Sequence, residues 1–334
     1  MNDHQKQALT RLFGHYFGEV VKGFEAMPRS GSNRSYFRIY SENHRAIGVC
    51  NSDDRENKAF VYMTRFFRDE RMPVPELLGE DLDHDVYLVE DLGDRTLFDL
   101  IKDNLAKPGG VEMIRPWLKL VIRELARMQV MAGKKMDFSY CYPYKRFNKD
   151  SVTFDLHYFR EQFLDQQGIS YDSKALDRDF DRFADMILEP EQEFFMYRDF
   201  QSRNIMVNNN RVCFIDYQGG RLGPLQYDLA SFLYQARAGL PESLREEMLE
   251  DYIRVVRLLT PVDVDEFKHY FYPVALHRVF KTLVASSLRG LREKKEHFIR
   301  SIPYALENLY VLVAKNPVMT RWPELNKILN RCSR

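Results

Sequence analysis

The hydrophobic positions of residues 3–17 (Ala8, Leu9, Leu12, Phe13, Tyr16, Phe17) recur at helical spacing and predict an amphipathic helix on the outside of a first lobe. From Val20 to Val49 the pattern shortens to alternating runs between polar breaks, with SYFRIY and AIGVC the clearest strands. Residues 54–69 return to helical spacing, and their stripe Ala59, Phe60, Met63, Phe66 and Phe67 should face the sheet. Pro73 and Pro75 exclude helix from MPVPELLGED, which reads as an extended link into a strand. DVYLVEDLGD then supplies a buried strand over 86–89. Beyond Thr96 the chain reads as helical, with the strongest 3.6-residue period over 117–131 and further helices over 151–164 and 175–188. Phe154, Tyr158, Phe159 and Phe163 are expected in that core. Residues 138–148, FSYCYPYKRFN, are aromatic and irregular, either a packed loop or a wall of a pocket. Residues 242–330 are helical again, with breaks expected at Thr260-Pro261, Tyr272-Pro273 and Ile302-Pro303. The expected fold is α+β with two lobes, a β-rich one over 1–92 and a larger helical one over 93–334.

One stretch departs from the helical trend. In FFMYRDFQSRNIMVNNNRVCFIDYQGGRLGPLQYDLA, residues 194–230, two short apolar runs flank three asparagines. Asn tolerates the positive φ of a tight turn, so the runs predict a hairpin turning near Asn209–Asn210. Asn204 and Asp216 then emerge within about one register step of each other, and Asp199 heads the loop that feeds the first strand. A hard cation wants oxygen donors of this kind, and a separate carboxylate can take the proton of an attacking hydroxyl. D-x-x-x-x-N followed by an isolated Asp after a strand is the kinase catalytic-loop and metal-Asp pattern. D-x-x-x-x-N alone would fit a polar surface hairpin equally well. The strand, Asp216 and the following GxxxxDLA favour the phosphoryl-transfer reading.

With YRDFQSRNIMV, FIDYQGGRLGPLQYDLASFL and, upstream, LVEDLGDRTL, the chain resembles the aminoglycoside phosphotransferase and choline kinase superfamily, small-molecule relatives of protein kinases. Within it the likeness is greatest to bacterial kinases that phosphorylate the anomeric hydroxyl of N-acetylmuramate and N-acetylglucosamine. The resemblance implies a two-lobed protein-kinase-like fold, with ATP and Mg2+ as cofactors. It implies that Asp199 is the catalytic base, Asn204 and Asp216 the magnesium ligands, and Asp228 the aspartate that braces the catalytic loop. It also implies that the backbone of Glu90 and Leu92 contacts adenine at the hinge. Tyr197 stands where the family usually has His, a position that supports the loop.

The break RSGSNRS lies where such a fold covers the phosphates, and Gly31, Ser32, Asn33 and Arg34 are its candidate nucleotide contacts. A plain turn with one glycine would read the same. The strand AIGVCN lacks the lysine that protein kinases pair with a helix Glu, and Arg34 and Arg38 are the candidate replacements. With no lysine to pair, Glu56 reads as a helix N-terminal carboxylate favoured by the dipole.

Lys plus Arg and Asp plus Glu balance at 49 each, so no global field draws the chain to nucleic acid or an anionic membrane. No apolar run approaches a membrane span, and the polar N-terminus lacks a signal-sequence pattern, so a cytoplasmic location is expected. Cys50, Cys141, Cys213 and Cys332 are scattered, as reduced thiols would be, without C-x-x-C spacing. Beside the chemistry stand Gln201, Arg203, Gln218 and Arg221 in place of the carboxylate clusters that hold aminoglycoside cations. Gln201 and Arg203 are therefore the candidate substrate contacts for an uncharged or anionic sugar. A sugar-1-phosphate nucleotidyltransferase is the implied downstream partner. The rival readings are a kinase for choline, ethanolamine or an aminoglycoside, and a nucleotide-binding module without turnover.

Overall fold

In the computed structural model, which describes residues 1–28, 34–292, 294, 296–316 and 318–332, the chain begins with α1 (Asp3–Phe17), capped by a reciprocal pair of hydrogen bonds between Asn2 and Gln5. Strands β1 (Gly23–Ala26), β2 (Ser35–Tyr40) and β3 (Arg45–Cys50) lead to α2 (Asp54–Asp69), β4 (Leu77–Asp81) and β5 (Val86–Glu90). Then come α3 (Leu97–Leu105), α4 (Gly110–Lys135), α5 (Lys149–Phe159), which continues into a π-helical turn, and α6 (Ser173–Leu188). Short strands β6 (Phe194–Met196), β7 (Ile205–Asn208), β8 (Arg211–Phe214) and β9 (Arg221–Gly223) precede α7 (Leu225–Leu233) and α8 (Glu242–Arg257). The chain ends with α9 (Val264–Ala285), α10 (Glu296–Ile299), α11 (Ile302–Lys315) and α12 (Pro323–Cys332). These elements fall into a sheet unit of Met1–Asp99, Lys135–Lys145 and Arg203–Gly220, and a helical unit of Leu100–Lys134, Arg146–Ser202 and Arg221–Arg334.

The sheet unit is built on five antiparallel strands in the order β1-β2-β3-β5-β4. Successive side chains of a strand point to opposite faces. Val86 and Leu88 of β5 therefore join Leu9 and Phe13 of α1 in one core with Ile39 and Ala46. Tyr87, between them, stacks on Phe60 of α2 at 4.6 Å. Burial on both faces explains why β5 reads as a continuous apolar run. Gly48 leaves room where α1 crosses: a Cβ there would lie 2.7 Å from Ile39 Cδ1 and 2.9 Å from Leu9 Cδ1, so those side-chain ends would have to shift. Residues 135–145 pack on α2: Tyr140 stacks on Tyr62 at 4.1 Å, and the Asp137 N–H donates to the Tyr62 hydroxyl at 2.7 Å.

The β7–β8 hairpin belongs to the same unit. Val207 donates its N–H to Arg95 O at 2.9 Å, and Phe214 donates to Pro73 O at 2.7 Å. The Tyr217 and Thr64 hydroxyls are 2.7 Å apart, and the Tyr217 ring stacks on Phe60.

In the helical unit, α9 packs against α5, α7 and α11. Its buried residues, from Phe267 to Val284, surround the helix, as expected for an element enclosed on all sides. The expected break at Tyr272-Pro273 is absent, and Pro273 lies inside α9. Proline removes one intrahelical bond, but Phe267, Phe271 and Val274 are buried around it and hold the helix through. Phe154 also departs from expectation, at 66% exposed. Helix α5 turns Val152, Leu156 and Phe159 inward, which leaves Phe154 on the outer face, stacked on Tyr158 at 5.6 Å. Among the described residues no helix is long and apolar enough to cross a membrane.

Candidate functional site

In the sheet unit, β7 and β8 pair with Ile205 opposite Phe214 and Asn208 opposite Arg211. The turn falls at Asn209 and Asn210, both at positive φ (46° and 60°), which an L-residue other than Asn, Asp or Gly adopts with strain. At the open end Ile215 donates its N–H to Asn204 O at 3.0 Å, so Asp216 stands one step beyond the residue paired with Asn204. Asn204 Nδ2 then lies 3.4 Å from Asp216 Oδ2. Asp216 is itself in the left-handed region, at φ 73°, a conformation that persists only where neighbours over-determine it.

Those neighbours are visible. Asp216 Oδ1 accepts from Gln218 Nε2 at 3.0 Å and from Arg34 Nη1 at 3.3 Å. Arg34 also donates to Glu56, Nη2 to Oε1 at 2.9 Å and Nε to Oε2 at 3.3 Å, and to the Tyr36 hydroxyl at 3.1 Å. Burial opposes the Arg34 charge, but Tyr36, Tyr87, Asp216 and Glu56 outweigh it and raise its already high pKa further. Glu56 is fixed in turn by Asn51 Nδ2 at 2.8 Å, and its N–H donates to the N-cap Asp53 at 3.1 Å. Glu56 thus does sit in the first turn of α2, but its carboxylate is committed to an arginine as well as to the helix dipole. Arg38, the other candidate cation, is taken up by Asp91 (2.8 and 3.2 Å) and Asp94 (2.7 Å). Gly31, Ser32 and Asn33 lie outside the described residues.

Carboxylate and amide oxygens are the donors that a hard divalent cation takes, so Asn204 and Asp216 fit magnesium by donor chemistry. Among the described residues no cluster of three or more His, Cys, Asp or Glu could hold a metal. A cation on this pair would complete its shell from phosphate and water.

The Glu90 N–H, at the end of β5, donates to Glu76 O at 3.0 Å. Leu92 follows in the loop beyond β5 and is half-buried. Arg203 is exposed and Gln201 half-buried. Gln218 and Arg221, read as neighbours of the chemistry, are both buried; Gln218 serves Asp216, and Arg221 lies in β9.

The helical unit holds Asp199. The loop leading to it is pinned by Asp228, fully buried on α7. Tyr197 donates its N–H to Asp228 Oδ2 at 2.7 Å and Arg198 to Oδ1 at 2.8 Å. Gln129 of α4 donates to Oδ2 at 2.9 Å. Burial pushes the Asp228 carboxyl up to about 7, against the pull of those two N–H groups, Arg278 and Gln129. Arg198 is held at φ 84°, a strained conformation beside the candidate base. The far end of the loop is tied down as well, since Ser202 donates its N–H and its hydroxyl to Gln235 Oε1 at 2.9 and 2.6 Å. Tyr197, in the place of the family's His, is buried, with its ring edge-on to Phe200 at 5.1 Å. Asp199 side-chain atoms are 46% exposed, and Arg278 Nη2 lies 3.9 Å from Oδ1.

Sequence reasoning did not single out Gln129, Gln235 or Arg278. The only trace of Arg278 is a charge inside the apolar run VALHRVF. His277 beside it is a core residue, fully buried with Nε2 3.3 Å from Asp155 Oδ2.

Comparison with known proteins agrees with this chemistry. Residues 24–263 match the model of a phosphotransferase enzyme family. The chain is 23% identical to the N-acetylmuramate/N-acetylglucosamine kinase of Pseudomonas aeruginosa over 320 residues, 92% of this chain and 89% of the relative. It is 22% identical to the kinase of the same name from Neisseria meningitidis, over 83% of this chain and 81% of that one. Among solved structures it is similar to choline kinase LicA of Streptococcus pneumoniae (TM-score 0.59, 13% identity, 92% of this chain and 100% of the other). It is also similar to the aminoglycoside phosphotransferase APH(2″)-IIa in complex with gentamicin (TM-score 0.60, 13% identity, 92% and 96%). A β-sheet N-terminal region followed by a helical C-terminal region is the protein-kinase-like fold of these neighbours. The chain belongs to the phosphotransferase enzyme family and is a kinase of that family, an ATP-dependent phosphotransferase.

Proposed function

We propose that the chain transfers the γ-phosphoryl group of ATP to a hydroxyl of a small sugar, the anomeric hydroxyl of N-acetylmuramate or N-acetylglucosamine. The observation that carries this reading is the set Asn204, Asp216, Arg34 and Glu56. Two oxygen donors stand at the open end of a hairpin beside a buried, carboxylate-paired cation. Such a set has a clear use on a polyphosphate and little on an uncharged ligand. The relatives named for amino-sugar kinase activity supply the acceptor class.

In this reading residues 1–92 serve the nucleotide, through Gly31, Ser32, Asn33 and Arg34 and through the hinge at Glu90 and Leu92. Residues 93–334 carry the catalytic loop and the acceptor site. Asp199 is the base: it takes the proton of the sugar hydroxyl as the oxygen attacks the γ-phosphorus and ADP leaves. Asn204 and Asp216 would hold magnesium, which when bound would neutralise charge on the phosphates of ATP. Asn204 follows Asp199 five positions along the chain. Asp228 keeps the loop rigid by occupying two of its N–H groups. Gln201 and Arg203 contact the sugar, where a planar guanidinium suits the lactyl carboxylate of N-acetylmuramate. The product, a sugar 1-phosphate, suits a nucleotidyltransferase as the next enzyme, and the cytoplasm is where ATP would be supplied.

An acceptor panel tests the reading. N-acetylmuramate, N-acetylglucosamine, an aminoglycoside, choline and ethanolamine are each offered with ATP and magnesium while ADP release is followed. Turnover on the amino sugars, with phosphate on C1 by 31P NMR, is expected. A magnesium-dependent thermal shift with ATP but no ADP release for any acceptor would overturn it. Arg203→Ala should raise KM for N-acetylmuramate more than for N-acetylglucosamine; equal effects remove Arg203 from that role.

A further inference from the structure

Arg278 has a buried side chain, 7% exposed, and among the described residues no carboxylate is in direct hydrogen-bond contact with it. Nη1 donates to the Tyr227 hydroxyl and Nη2 to Ser231 Oγ, both at 2.9 Å, and Nε has no hydrogen-bond partner among the described residues. Nη2 is also the atom 3.9 Å from Asp199 Oδ1. A guanidinium stays charged in proteins, and an unbalanced buried charge is strongly destabilising. The balance here comes from the candidate base itself, with Asp228 acting at longer range. Burial works against the Arg278 charge, and Tyr227, Asp199 and Asp228 more than compensate.

We propose that Arg278 is a positioning residue for phosphoryl transfer: it fixes the Asp199 carboxylate from its buried side and holds it as the anion that receives the acceptor's proton. This inference rests on the kinase reading above and deepens it. Arg278 is too enclosed to meet the sugar, so its influence on the reaction runs through Asp199. An opposite charge within about 4–6 Å favours the ionised carboxylate by roughly one to three pH units. The charged and titratable groups around Arg278 include Asp199 from the loop and Tyr227 and Asp228 from α7. On α9 itself they include His277 and Lys281, both directed at Asp155 of α5. Lys281 spends its charge on Asp155 at 2.6 Å, and burial lowers the His277 pKa. Arg278 is therefore a cation of this cluster whose charge is directed at Asp199.

The test is the pH dependence of kcat in the full-length chain, with N-acetylglucosamine and saturating ATP. Arg278→Met should move the acid limb upward by roughly one to three units and lower kcat by roughly 10²-fold, with KM for ATP unchanged. Arg278→Lys should restore part of both. Ser231→Ala removes the hydrogen bond that orients Nη2 and should shift the limb in the same direction by less. It keeps the question answerable if Arg278→Met does not fold. Folded variants whose acid limb stays at the wild-type pH would overturn the inference while leaving the kinase reading intact. A wild-type chain with no turnover on any acceptor would overturn both.

Discussion

Arg34 meets Glu56 at two points, Nη2 to Oε1 at 2.9 Å and Nε to Oε2 at 3.3 Å, while its Nη1 reaches Asp216 at 3.3 Å. One planar fork ties the start of β2 to α2 and to the proposed magnesium ligand, with the cation presented from a strand other than the one where protein kinases carry their lysine. An ammonium is a point charge and cannot satisfy this geometry. Arg34→Lys should therefore lose most of what Arg34→Met loses, roughly 10²-fold in kcat/KM for ATP. A double-mutant cycle with Glu56→Gln should show coupling above about 0.5 kcal/mol. Strictly additive effects would mean that the pair does not act as a unit.

Asp199→Asn keeps the size of the side chain and removes the base. Turnover on an amino sugar should fall roughly 10²- to 10⁴-fold, while calorimetric affinity for ATP with magnesium stays within a factor of two. A parallel loss of nucleotide affinity would place Asp199 on the phosphates and return the assignment of the base to the start.

The hairpin was legible because its grammar is local: two β-rich runs and an Asn turn set the register, and the register brings Asn204 to Asp216. The strands of the sheet unit and α2 were legible for the same reason, since each buries a face whose period shows in the sequence. The partner of Glu56 was not. Arg34 and Arg38 are equally basic and lie on the same strand approach, and only the fold decides that one crosses to α2 and the other to Asp91 and Asp94. Arg278 lay further out of reach, because it comes to Asp199 from a helix distant in sequence and owes its place to the packing of α7 on α9. Phe154 and Pro273 misled in the opposite direction. A stripe of aromatics does not say which of its members faces in, and a proline inside a well-packed helix is tolerated.

Asn209 and Asn210 both occupy the left-handed region, and the turn they make sets the spacing of Asn204 and Asp216 at the other end of the ribbon. Asn210→Gly removes the cost of a side chain at φ 60° and should leave stability equal or higher by up to about 1 kcal/mol. Replacing both by Ala should cost about 2–4 kcal/mol, since left-handed backbone strains each residue by about 1–2 kcal/mol. Urea unfolding at fixed pH measures both. The Ala pair should also weaken magnesium dependence, as the apparent activation constant for the metal would reveal. A destabilised variant with an unaltered metal requirement would separate the turn from the ligand pair.

Asp228 gives stability a sign opposite to that of the depressed carboxyls Glu19, Asp81, Asp137, Asp155 and Glu193. Its folded carboxyl is pushed up to about 7 by burial, above the value near 3.9 of an unfolded Asp. The folded state therefore binds the proton more tightly. That contribution is complete below about pH 4 and is lost as pH rises through 7. His277 works the other way, because burial lowers its pKa, so the unfolded chain takes the proton first and stability rises with pH up to about 6.5. Asp155 is depressed: burial raises its carboxyl, but His277 and Lys281 outweigh that. Its contribution is present above about pH 5 and is lost as pH falls further, where the unfolded carboxylate takes up its proton. The comparison that isolates Asp228 is wild type against Asp228→Asn, in which His277 and Asp155 cancel. The difference in unfolding free energy should shrink by up to about 1.4 kcal/mol per pH unit between pH 4 and 7 and level off above. The amide of the Asp228→Asn variant could accept on one oxygen only, so the N–H groups of Tyr197 and Arg198 would compete for it, and the variant should be the less stable protein at every pH. A difference that stays constant from pH 4 to 8 would show that Asp228 is ionised throughout, with its two N–H donors and Arg278 outweighing burial.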